Sequence, residues 1–99
     1  MHREKTADQK LVEVAFRIGA DVAVLRDRFA GPDGAARIER ARRVVAGLER
    51  LFGSWQNVRR WGASQLPSLG GRRPVEVLEE GRVTPLERIY EALQWGVYG

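Results

Sequence analysis

Catalysis requires reactive groups that converge, and this sequence offers few. The single histidine, His2, stands beside Met1 at the chain start, where a general base lacks the fixed geometry its work requires. The chain has no cysteine, which excludes disulfides, thiolate metal sites and a thiol nucleophile. Ser54, Ser64 and Ser68 have no histidine that spacing would bring to them, and Ser54 is accounted for as a helix cap. Glu79 and Glu80 are adjacent, but neighbours on a helix point about 100° apart and do not share a site. The expectation is a protein that is not an enzyme, with no cofactor, no metal and no small-molecule substrate of its own.

Three groups of residues suit binding instead. From Arg37 to Arg60 there are seven arginines against two glutamates, whereas from Arg82 to Gly99 two arginines balance two glutamates. Such a basic stretch attracts nucleic acid or an acidic protein surface, or forms the solvated face of a helix. Arg37, Arg40 and Arg43 are the candidate nucleic-acid contacts. Gly70-Gly71-Arg72-Arg73-Pro74 places glycines and two arginines before a helix start. That arrangement either holds a phosphate or makes a tight turn between packed helices, and the absence of a Lys-Ser/Thr ending favours the turn. Tyr90, Trp95 and Tyr98 cluster near the end with Val97. Aromatic side chains with a polar edge are enriched at binding hot spots. Tyr90 fits a core stripe; Trp95 and Tyr98 either fold back onto the domain or meet a partner.

The elements that would carry these groups are all helical. Thr6 and Gln9 have capping-box spacing, followed by Leu11, Val14, Ala15 and Ile18 on one stripe until Gly19. Asp21 caps a second piece with Val22, Leu25 and Phe29. Gly31-Pro32-Asp33-Gly34 is a turn. Ile38, Ala41, Val45, Leu48 and Phe52 recur at three and four, the apolar face of a long helix that Val44 and Leu51 widen. Gly53 stops it, and Ser54 caps a helix carrying Trp55, Val58 and Trp61. Residues 62–71 are irregular, with Leu66-Pro67 and Leu69 as buried anchors. Pro74 opens a short helix bearing Val75, Val77 and Leu78. Thr84-Pro85-Leu86-Glu87 combines a capping box with proline at the first helical position, and Leu86, Ile89, Tyr90 and Leu93 form the last stripe. The fold expected is all-α, a compact bundle of about five to six short-to-medium helices with a short C-terminal tail. The apolar fraction, 43%, supports one modest core, which a permanent partner or a second copy would stabilise further. No apolar run approaches the ~20 residues of a membrane span, and no signal peptide is evident. A cytoplasmic protein is expected.

Residues 44–99 resemble the Xre/MbcA/ParS-like toxin-binding domain. The resemblance runs through Phe52-Gly53, Trp61, then Leu69-Gly70-Gly71-Arg72-Arg73-Pro74-Val75-Glu76-Val77-Leu78, and a final helix ending in Gln94-Trp95-Gly96-Val97-Tyr98-Gly99. The central piece is similar to the family's Leu-Gly-Gly-basic-x-Pro-aliphatic-Glu-aliphatic-Leu signature. The resemblance implies an MbcA-like antitoxin of a type II toxin–antitoxin system. Its partner would be a RES-type toxin that consumes NAD⁺, held in a hetero-oligomeric complex with its active site obstructed. Trp95, Gly96, Val97, Tyr98 and Gly99 are then the blocking residues, with Gln94, Arg72 and Arg73 as weaker contacts. Residues 1–43 form an N-terminal helical region, shorter than the full helix-turn-helix domain that many relatives carry. The alternative is a small DNA-binding transcriptional regulator using the arginine-rich helix, possible also as autoregulation of the operon. An oligomeric scaffold is the remaining alternative.

Overall fold

The computed structural model describes residues 4–96. Six α-helices account for most of the described residues, and no strand occurs among them. Helix α1 (Ala7–Ile18) starts at the capping box read from sequence: the Gln9 N–H donates to Thr6 Oγ1 at 3.1 Å, and the Thr6 N–H donates to Gln9 Oε1 at 2.8 Å. Helix α2 (Val22–Arg28) is capped by Asp21, whose carboxylate accepts from the Val24 N–H at 3.2 Å. Helix α3 (Gly34–Phe52) is the longest, and Ser54 caps α4 (Trp55–Gly62) through the Asn57 N–H at 3.2 Å. A single 3₁₀ turn (Pro67–Leu69) leads to α5 (Pro74–Glu79) and α6 (Thr84–Gln94).

The apolar stripes read from spacing meet in one core. Ile18, Leu25, Ile38, Leu48, Leu78 and Leu86 are almost wholly removed from water. Helix α3 lies at the centre, with α1 against it most extensively and α4 and α6 on its other sides. The residue 43/44 boundary falls inside α3, and the core draws side chains from both sides of it. The radius of gyration, 13.1 Å, matches the ~13 Å of a compact chain of about 100 residues. Ion pairs outline the α1–α3 seam: Arg17 reaches Glu49, Arg42 reaches Glu13 at 3.4 Å, and Lys10 lies 2.8 Å from Glu39.

Three local expectations are corrected. Leu51, in the last turn of α3, does not widen the core face but is 47% exposed. Leu66 and Leu69 are only half-buried and Pro67 is exposed, so the loop over residues 63–71 lies on the surface rather than anchoring the core, while Gly62 is the buried last residue of α4. The Thr84–Glu87 capping box does not form: no side chain caps α6. Both groups are drawn instead to Arg40 on α3, which donates to Thr84 Oγ1 at 3.0 Å and to the Glu87 carboxylate. A cationic fork outcompetes a neutral backbone N–H for a carboxylate.

One close approach sets where α6 sits. A Cβ on Gly47 would stand 2.2 Å from Tyr90 Cζ. The missing side chain lets the Tyr90 ring lie directly on the α3 backbone, and α6 is drawn in with it.

Candidate partner-binding surface

Helix α6 has two faces. Leu86 and Ile89 are buried and Leu93 packs against the core, which locks one face. Pro85, Arg88, Ala92 and Trp95 follow at three, four and three, which puts them along the other face. Trp95 closes the helix: its N–H donates to the Glu91 carbonyl at 3.2 Å, while its side chain is 76% exposed. The fold-back alternative for Trp95 is therefore overturned, since its ring is not covered by the domain. Gln94 is exposed and donates to the Tyr90 hydroxyl at 2.9 Å, and Gly96 is exposed. Val97, Tyr98 and Gly99, the rest of the sequence-derived blocking segment, lie outside the described residues, as does His2.

The glycine-arginine loop closes on itself. The Leu66 N–H donates to the Arg72 carbonyl at 3.1 Å, the Gly70 N–H to Pro67 at 3.0 Å and the Gly71 N–H to Leu66 at 2.9 Å. Gly70 and Gly71 hold φ of +68° and +83°, successive left-handed positions that L side chains rarely adopt. The Arg73 N–H donates to Glu76 Oε1 at 3.0 Å, and the Arg73 guanidinium meets the same carboxylate at 2.9 Å. Each of these backbone donors is satisfied within the chain, which is the geometry of a tight turn and leaves none of them to hold a phosphate. Arg72 pairs with Glu80, with one N–H···O distance of 2.8 Å. Hydrogen bonding from Arg72 holds the Glu80 carboxyl below its ordinary pKa, against an opposing push from desolvation. Arg72 and Arg73 thus brace α5, although both remain accessible at its surface.

The arginines of α3 divide. Arg37 donates to the Gly81 carbonyl and lies 4.6 Å from the centre of the Phe29 ring. Arg40 grips Glu87, and its hydrogen bond draws the Glu87 carboxyl below its ordinary pKa against desolvation. Of the three proposed nucleic-acid contacts, Arg43 alone makes no hydrogen bond or ion pair among the described residues.

Two features were not singled out from sequence. Phe16 on α1 packs against Trp55 on α4 with ring centroids 4.9 Å apart and the rings tilted by 45°, and Arg59 lies over both rings. Phe16 occupies the polar side of the α1 stripe, which was the available signal. The second is the line of Arg88, half-buried Ala92 and Trp95, legible from its i, i+4, i+7 spacing but hidden behind the stronger core stripe.

Among the described residues, no group of three or more His, Asp or Glu is placed to hold a metal ion. No described helix is long and apolar enough to cross a membrane. Comparison with protein-family models, curated proteins and solved structures finds no match to this chain.

Proposed function

We propose that the chain is an antitoxin that binds a RES-type, NAD⁺-consuming toxin in the cytoplasm. It obstructs the toxin's cleft with its C-terminal segment, without catalysis or cofactor of its own. The observation that carries this reading is Trp95, 76% exposed at the end of a helix whose opposite face is buried. An aromatic ring on a rigid support loses little conformational freedom on binding and supplies a large contact area. The family resemblance supports the choice of partner. Its signature residues Pro74, Val75, Val77 and Leu78 are buried, so they serve the scaffold and leave the blocking role to the helix end beyond them.

Expression of the product of the adjacent gene, with and without the chain, tests the reading through cellular NAD⁺: the reading requires that product to be a toxin that depletes it. The full chain preserves NAD⁺. A chain lacking residues 94–99 remains folded by circular dichroism and no longer preserves it. Trp95→Ala weakens the complex by about 2 kcal/mol, roughly 30-fold. A truncated chain that still protects NAD⁺ overturns the tail mechanism.

A further inference from the structure

Between the 3₁₀ turn, α5 and α6 lies an open groove of about 480 Å³. Leu69, Ile89 and Ala92 contribute its apolar surface, and Arg72, Arg82 and Arg88 stand along it. A second hollow of about 350 Å³ shares Arg82 and Arg88 and adds Arg37 and Arg40. Glu80 and Glu87 lie among these arginines, but both are engaged: Glu80 pairs with Arg72 and, at longer range, with Arg82, and Glu87 pairs with Arg40. Arg82 reaches a carboxylate only at 3.8 Å, and Arg88 makes no hydrogen bond or ion pair among the described residues. The surface therefore carries uncompensated positive charge above hydrocarbon.

We propose that this groove docks a segment of a partner protein in which an apolar anchor residue is flanked by aspartates or glutamates. The apolar lining wants a hydrocarbon side chain, which a nucleic-acid backbone does not offer. The guanidinium groups of Arg82, held by one distant carboxylate, and Arg88, held by none, want carboxylates. A second copy of this chain fits poorly, because the chain carries a net charge of +4 and like-charged copies repel. Arg88 and Ala92, which line the groove, share one line on α6 with Trp95, which lies about 10 Å along the helix from Arg88. A segment in the groove would hold a partner alongside the helix end. The inference is independent of the partner's being a toxin, since it follows from groove chemistry alone.

The test uses the full chain and a labelled peptide, Asp-Glu-Leu-Phe-Glu-Asp, titrated by NMR at low and high salt. Controls are the same peptide with Asn and Gln replacing the acids, the peptide with Ala replacing Leu-Phe, and a short DNA duplex. The acidic peptide shifts amide signals of Leu69, Ile89 and Ala92, and both peptide controls bind at least about tenfold more weakly. Arg82→Ala with Arg88→Ala lowers affinity about tenfold while the chain keeps its melting temperature. Ala92→Asp, a second variant on the groove surface, does the same. Equal binding of the acidic and neutral peptides overturns the proposal. So do an unaltered affinity in the arginine variant, displacement of the peptide by the duplex, or concentration-dependent self-association mapped to the groove.

Discussion

Arg37 and Arg40 lie where positive charge is densest along the chain, yet both are engaged within the molecule. One holds the Gly81 carbonyl and covers Phe29; the other holds Thr84 and Glu87. Arg82 and Arg88 lie where charges along the chain balance, yet they face solvent, one with a distant carboxylate and the other with none. The two pairs are linked through Glu87. By drawing that carboxylate toward α3, Arg40 removes the acid that balances Arg88 in the sequence count. Charge counted along a chain is thus a poor guide to charge presented to a partner, because tertiary ion pairs redistribute it.

Breaking the engaged pair should cost stability. Arg37→Ala removes a charged hydrogen bond and a cation–ring contact and leaves the Gly81 carbonyl without that donor. The expected loss is about 2 kcal/mol, measured by chemical denaturation. A variant as stable as the wild type would show that Arg37 belongs with the solvent-facing arginines. Arg40→Ala comes next, at about 0.5–1 kcal/mol, since the pair with Glu87 is partly exposed. A double-mutant cycle with Glu87→Ala should return a coupling energy of that same size; zero coupling would mean the pair only decorates the surface.

Acid sharpens the same contrast. The folded Glu87 carboxyl titrates below its reference value of 4.5, so the unfolded chain takes up the proton first as pH falls. The stability this group contributes is fully present above that reference and is lost as pH falls through the lower folded value. Glu13, held down chiefly by its hydrogen bond from Lys5, behaves alike. Denaturation midpoints followed into acid should therefore fall, and fall less steeply in Arg40→Ala. The smallest effect belongs to Arg88→Ala, within about 0.5 kcal/mol of wild-type stability. A large loss there would place Arg88 among the engaged arginines.

Much of the fold was legible because helix periodicity and caps are local. Thr6–Gln9, Asp21 and Ser54 cap as their types and positions predict, and the stripes through Ile18, Leu48 and Leu86 are buried. Local rules failed where a distant group competed. Thr84 and Glu87 have capping-box spacing, but Arg40, far away in sequence, takes both. Leu51 fits an apolar stripe, but the packing of the helices leaves it 47% exposed.

The candidate surface was legible in part. Trp95 stood out as an aromatic past the end of a stripe, and its exposure agrees with that position. The groove beside it did not, because its walls come from a 3₁₀ turn, α5 and α6 together.

By itself, the sequence determined an all-α chain, most of the places where its helices start and stop, and most of the residues that form their apolar stripes. These follow from backbone hydrogen bonding within a few residues and from the 3.6-residue repeat. Only the tertiary structure decided which arginines remain free and where hydrocarbon and positive charge meet. Both depend on which helices lie side by side, and ion pairing acts across space rather than along the chain.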